Sequence, residues 1–281
     1  MKIIKNIVVI ICLALIVQNI CFAENKTAIS DVKLIKKAKK LSKKISKNPE
    51  KCDLYIKRGY YRFLLKDYGS ALEDYSKAEE LTPDNSKIYY LKGLVWFERT
   101  NYISALDDFN KAIELSPKES KFYVCRGQAK YEQGNTAGAI NDYETAIKYN
   151  KRNASAYINR GIARLKQDKD AGALADFKKA LKFSKKEPSQ AYFNIGIAYV
   201  KLGKYEEAID NFTKAIEQKH NYSEAYHQRG LAYLKLDNQQ FAKSDFEMAC
   251  QISPANKQAK KDLESVKKYL EDLLKEEKIL Y

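Results

Sequence analysis

Apolar and small residues along this 281-residue chain recur on one template. Glycine stands at Gly59, Gly93, Gly127, Gly161, Gly196 and Gly230, in steps of 34 with one step of 35. Four residues before each is Tyr55, Tyr89, Tyr123, Tyr157, Tyr192 or Tyr226. Twelve residues after each is Ala71, Ala105, Ala139, Ala173, Ala208 or Ala242. A ring follows four residues on, at Tyr75, Phe109, Tyr143, Phe177, Phe212 and Phe246, and then Ala78, Ala112, Ala146, Ala180, Ala215 and Ala249. Offsets of three and four share one helix face, so each period predicts helix. The periods are 52–85, 86–119, 120–153, 154–188, 189–222 and 223–256. Residues 30–47 predict one more helix, with Leu34, Ala38, Leu41 and Ile45 on one face. Lys257–Ile279 predicts a long amphipathic helix carrying Leu263, Val266, Leu270, Leu273 and Leu274.

A glycine inside a helix costs roughly 0.5–1 kcal/mol relative to alanine, so close packing has to compensate. The expectation is that Gly59 and Ala71 face each other across the helix crossing, with Tyr55 and Tyr75 filling the space beside them. A second correlation links charges. The residue before the repeat glycine is basic at Arg58, Lys92, Arg126, Arg160 and Arg229, and sixteen residues later stands Asp74, Asp108, Asp142, Asp176 or Asp245. Repeat five has Ile195 and Asn211 instead, losing both members together. An ion pair within each repeat is expected, worth at most about 1 kcal/mol if exposed.

These columns resemble the tetratricopeptide repeat family, whose pattern places an aromatic, Gly, Ala, an aromatic, Ala and Pro at set offsets. The resemblance spans 52–256; the closing proline survives at Pro83, Pro117 and Pro254, while Lys151, Lys185 and His220 take its place elsewhere. It implies an all-α, right-handed superhelical solenoid of six antiparallel helix-pair repeats with capping helices. On that reading 1–23 is a signal peptide, 24–51 a basic N-terminal capping helix and 257–281 a C-terminal capping helix.

The resemblance also implies that the first helix of each repeat lines a concave groove in which a protein or peptide partner lies. The groove positions carried over are Ile56, Tyr60 and Phe63; Tyr90, Leu94 and Phe97; Val124, Gln128 and Tyr131; Ile158, Ile162 and Leu165; Phe193, Ile197 and Val200; and His227, Leu231 and Leu234. Lys166, Lys201 and Lys235 are the expected groove charges, making its C-terminal half the more positive. A subclass that grips chaperone tails needs Lys and Asn at two of these positions; Asn159 and Asn194 occupy a neighbouring one, but no repeat carries the required pair.

Composition alters this picture in two places. The formal charge is +15, of which residues 24–51 supply ten lysines against three acids. That segment reads as a weak contact for an anionic membrane surface; the excess of Lys over Arg speaks against specific nucleic-acid reading. Ahead of it, Lys2 and Lys5, the apolar run Ile7–Val17 and Cys21-Phe22-Ala23 form the pattern of a secretory signal cleaved before Glu24. The chain is therefore expected to be exported, to a bacterial periplasm or cell envelope. Cys52, Cys125 and Cys250 are too sparse for a disulfide framework.

No phosphate loop, nucleophile elbow or zinc-binding spacing occurs, and the two histidines, His220 and His227, have no cysteine beside them. Neither a cofactor, a metal nor a catalytic residue is assigned. The leading expectation is an exported non-catalytic scaffold or adaptor. The alternatives are a membrane-tethered assembly subunit held by an uncleaved anchor, and a ligand-binding or enzymatic domain with a pocket in the superhelix.

Overall fold

A computed structural model of the protein describes residues 31–184 and 188–279, with side chains as far as Leu273. The signal-like residues 1–23, Lys185 and Leu274 lie outside that description. Every regular element among the described residues is an α-helix. They are α1 (Asp31–Ile45), α2 (Cys52–Leu64), α3 (Tyr68–Leu81), α4 (Ser86–Glu98), α5 (Tyr102–Leu115), α6 (Ser120–Glu132) and α7 (Thr136–Tyr149). There follow α8 (Ala154–Lys166), α9 (Asp170–Phe183), α10 (Pro188–Lys201), α11 (Tyr205–Gln218), α12 (Ser223–Lys235), α13 (Gln239–Ile252) and α14 (Lys257–Ile279). They form two compact units divided inside α8, after Asn159.

Within each unit the helices pair as hairpins. Arg62 Nη1 donates to Ser70 O at 3.1 Å while Arg58 reaches Asp74, so residue numbers rise on α2 as they fall on α3, the signature of antiparallel helices. The same relation joins Arg164 to Gly172 O and Arg160 to Asp176 in α8 and α9. Each turn passes through a residue with positive φ: Lys66, Thr100, Gly134, Asp168, Gly203 and Asp237. Asp67, Asn101 and Asn135 then cap the second helix, accepting from the backbone N–H of Ser70, Ser104 and Gly138. At the far end of the pair, Ser120 Oγ donates to Ala146 O at 2.8 Å and Ser223 Oγ to Ala249 O at 2.9 Å.

The glycine column makes room for the ring expected beside it. A Cβ added at Gly93 would lie 2.6 Å from Phe109 Cε1, and one at Gly127 2.6 Å from Tyr143 Cε1. The remaining four glycines meet Tyr75, Phe177, Phe212 and Phe246 in the same way. Each glycine thus clears a seat for the ring of its partner helix, and at Gly230 the Ala242 carbonyl oxygen also lies 3.2 Å from the added Cβ. The rings and all six alanines twelve residues on are buried.

Among these rings Tyr75 carries a polar atom that its phenylalanine equivalents lack. The Tyr75 hydroxyl is buried without a hydrogen-bond partner, and burial pushes its pKa strongly upward. Removing an unsatisfied buried hydroxyl relieves its desolvation penalty. Tyr75→Phe is expected to stabilise the protein by about 1 kcal/mol in urea melts, with an unchanged denaturant slope.

The five ion pairs form. Arg58–Asp74, Arg126–Asp142 and Arg160–Asp176 close to 2.6 Å, Arg229–Asp245 to 2.7 Å and Lys92–Asp108 to 3.5 Å. They are not surface bridges: Asp74, Asp142, Asp176 and Asp245 are buried. Arg62, Lys130 and Arg164 add a second cation to the first three carboxylates. The arginine also ties neighbouring pairs together. Arg126 Nη1 donates to Asn110 Oδ1, and Arg229 Nη1 to Thr213 Oγ1, both at 2.8 Å. Arg58 Nη1 does the same to Ser42 Oγ at 2.9 Å, so α1 occupies the place of a second helix.

Repeat two holds its carboxylate least well. Lys92 sits closer to Glu79, at 2.8 Å, than to Asp108. Burial accordingly pushes the Asp108 carboxyl up to about 6, and the Lys92 charge offsets only part of this. A carboxyl raised on folding binds more protons in the native state, so it costs stability as pH rises from 3.8 through about 6. Asp108→Asn is therefore expected to gain stability over the wild type at pH 7. That gain should shrink on going to pH 4.5, measured by paired urea melts.

Candidate functional site

Residues 56–155 of the first unit enclose a concave cavity of about 710 Å³. Its apolar wall comes from Ile56 and Tyr60 on α2, Tyr90, Leu91 and Leu94 on α4, and Val124 and Cys125 on α6. The far side is built by Asn150, Arg152, Asn153, Ala154 and Ser155, where α7 hands over to α8. Lys57, Lys87 and Lys121 join Arg152 around it. First helices of successive pairs supply the wall because their second helices carry the alanine and ring columns that fill the inside of each hairpin.

Five of the groove positions expected from sequence line this cavity: Ile56, Tyr60, Tyr90, Leu94 and Val124. They are packed more tightly than an open apolar groove requires. Tyr60 and Tyr90 are half-buried, whereas Ile56, Leu94 and Val124 are buried. Tyr90 leans on Phe122, with ring centroids 5.1 Å apart, and Lys121 Nζ lies 5.4 Å from the Tyr90 ring and 5.5 Å from that of Phe122.

The other positions are placed elsewhere. Phe63 and Phe97 turn toward the hairpin bend, where their rings meet Tyr68 and Tyr102 at 5.8 and 5.5 Å. Gln128, Tyr131, Ile162, Leu165, Phe193 and Ile197 are buried, and Ile158 and Val200 half-buried. Phe193 is enclosed between Phe212 and Tyr222. At the C-terminal end α14 covers the face. Leu231 and Leu234 are half-buried and pack, like Leu263 and Leu270, against a cluster of Ala242, Phe246 and Val266. His227 is buried, its Nε2 2.8 Å from Asp262 Oδ2 on α14.

The expected charges lie away from this cavity. Lys201 is engaged, donating to Leu165 O at 2.9 Å and Asp168 Oδ1 at 3.0 Å. Lys166 and Lys235 are exposed, and neither lines the cavity. The positive residues that do line it were missed. Lys87 and Lys121 stand 34 residues apart, at the second position of their repeats, so that column held the signal. Arg152 comes from a loop and had none.

Nothing in the cavity is arranged for bond chemistry. Cys125 is its lone thiol, and no carboxylate or histidine lines it. Among the described residues no three His, Cys, Asp or Glu side chains are grouped to hold a metal ion. No described helix is long and apolar enough to cross a membrane. What the site offers is an apolar floor with a cationic border.

Tetratricopeptide repeat profiles match residues 57–120, 189–222 and 223–256, and a TPR repeat profile matches 127–168. Together they take in more than half of the chain. No curated protein matches it. Among solved structures, a chain of the APC/C hetero-tetramer Cut9–Hcn1 is similar at 19% identity and TM-score 0.72, over 84% of this chain and 46% of that one. This chain thus spans less than half of that relative. PilW, described as a widely conserved type IV pilus biogenesis factor, is similar at 16% identity and TM-score 0.68, over 76% of this chain and 97% of its own. A tetratricopeptide repeat protein from Parabacteroides merdae is similar at 19% identity and TM-score 0.64, over 83% and 92%. At these identities the likeness shows the fold alone. Repeat scaffolds of this kind generally serve protein–protein interaction. From its period, its helix pairs and these matches, the chain belongs to the tetratricopeptide repeat family.

Proposed function

We propose that the protein is a non-catalytic adaptor that holds an extended segment of another protein in the cavity of residues 56–155. The observation that carries this is the cavity itself: about 710 Å³ with an apolar wall drawn from three successive first helices. Such a wall is preset by helix packing, so little ordering cost falls on the adaptor's side when a flexible segment docks. Half-buried tyrosines at its edge are the kind of anchor that dominates binding energy.

A selection of random 16-residue peptides displayed on phage, run against the full chain, tests the reading. Enriched peptides should slow hydrogen exchange in 52–64, 86–98 and 120–132, and Tyr60→Ala should weaken them about tenfold, the cost of losing an aromatic anchor. Protection confined to second helices, or no enrichment, would refute the adaptor reading. Tyr60 suits this test because it is half-buried; a charge at the buried Leu94 or Ile162 would unfold its surroundings.

The adaptor is further read as an exported protein of a bacterial envelope, on the signal-like residues 1–23. N-terminal sequencing of the exported form should begin at Glu24; a chain retaining Met1 would favour a tethered subunit. The exposed lysines of α1, including Lys33, Lys36, Lys40 and Lys44, are the surface for weak contact with anionic lipid.

A further inference from the structure

We infer that the segment taken by the cavity is acidic: its carboxylates meet the cationic border while an aromatic or aliphatic side chain rests on the floor. The inference rests on the adaptor reading and adds the chemistry of the partner.

Lys57, Lys87, Lys121 and Arg152 line the cavity, and no Asp or Glu does. That imbalance departs from the rest of the protein. Basic residues on the same first helices are matched by buried aspartates of their own repeat, as Arg58 is by Asp74 and Arg126 by Asp142. The cavity cations have no such match. Lys57, Lys87 and Arg152 form no ion pair among the described residues. Among acids, Lys121 reaches Glu119 at 3.8 Å, with both side chains 55% exposed, a pair worth little in water.

Charges set beside an apolar wall act through a medium less polarisable than water, and a concave surface focuses their field. A neutral or basic segment would bury its apolar residues there against uncompensated like or lone charge; an acidic one removes that cost. Lys87 and Lys121 repeat at equivalent positions of α4 and α6, so they form a row that suits carboxylates distributed along a chain. The cations argue against a nucleic acid: three of the four are lysines, which lack the planar fork that guanidinium presents to phosphate.

The peptides enriched by the full chain test this directly. They should carry net negative charge together with at least one aromatic or aliphatic residue. Made as amidated synthetic peptides, which removes the terminal carboxylate, they should bind at least tenfold more weakly to the Lys57→Glu, Lys87→Glu variant, and more weakly at 300 mM than at 50 mM NaCl. Both lysines are exposed, so the variant's thermal melt should match the wild type; Lys57→Gln, Lys87→Gln, with a smaller loss, separates charge from fold. Peptides without acidic bias that still fail on Tyr60→Ala would overturn the acidic assignment and leave the adaptor reading standing. Peptides indifferent to Tyr60→Ala would overturn both. Displacement of bound peptide by a twelve-nucleotide oligothymidylate at equal concentration would overturn it in favour of a nucleic acid.

Discussion

Arg229→Ile is expected to cost about 3 kcal/mol at pH 7, the scale for stripping one partner from a buried pair. Arg229 donates from Nε to Asp245 Oδ2 at 2.8 Å and from Nη2 to Oδ1 at 2.7 Å, a two-pronged contact. Its third prong holds Thr213 Oγ1 on the preceding hairpin. Asp245 has no second cation of the kind that Arg62, Lys130 or Arg164 supplies elsewhere, because Tyr233 occupies that position. Once Arg229 is gone, the carboxylate is left charged in a buried site.

The pH dependence and a natural control make this prediction specific. Burial already pushes Asp245 upward, with Arg229 opposing the rise. Without the guanidinium the native carboxyl binds its proton still more readily than the unfolded one. Stability is then present at low pH and lost as pH rises through the native pKa, so the cost should be smaller at pH 4.5 than at pH 7. Repeat five shows what a compensated site looks like: Ile195, Asn211 and Tyr199 stand at the three equivalent positions, and Asn211 Nδ2 donates to Glu207 O at 2.8 Å. Arg229→Ile with Asp245→Asn copies that arrangement and should recover most of the loss. Urea melts of the two single variants and the double variant give the coupling. A double variant as unstable as the sum of the singles would show that the pair does not act as a unit.

Gly93→Ala should destabilise by about 1–3 kcal/mol, although alanine is the better helix former. The added methyl would lie 2.6 Å from Cε1, 2.7 Å from Cδ1 and 3.1 Å from Cζ of Phe109. That ring is completely buried, so it has no solvent side to move into. Either the ring leaves its rotamer or α4 and α5 separate, and the loss then spreads to the neighbouring hairpins that share their faces. Phe109→Leu removes the obstacle. In that background Gly93→Ala should cost much less, and a thermal-melt cycle would read the difference as a positive coupling. Equal costs in both backgrounds would mean that the glycine serves something other than the ring.

The repeat columns placed nearly all of the helices because period, small residues and rings are local facts, each meaningful within its own 34 residues. The paired loss of Ile195 and Asn211 exposed the ion pairs for the same reason: both members lie in one repeat. How deep those pairs sit could not be read that way. Asp74 and Asp176 are buried, and burial depends on how the helices pack, which a column of residue types does not record.

The groove was legible only as a list of positions. Tyr60 and Leu94 line the cavity while the equivalent Leu231 packs into the cluster of Ala242, Phe246 and Val266, although the column is the same. What separates them is which helix comes next. In the same way, Lys201 and Lys121 are both lysines of first helices, yet one is bound to Asp168 and the other borders the cavity. Sequence alone therefore determined the repeat, its helix pairs and its family, since hydrophobic period and close packing are set by near neighbours. Only the tertiary structure decided which apolar and cationic side chains remain available, because exposure and charge balance depend on residues far along the chain brought against them.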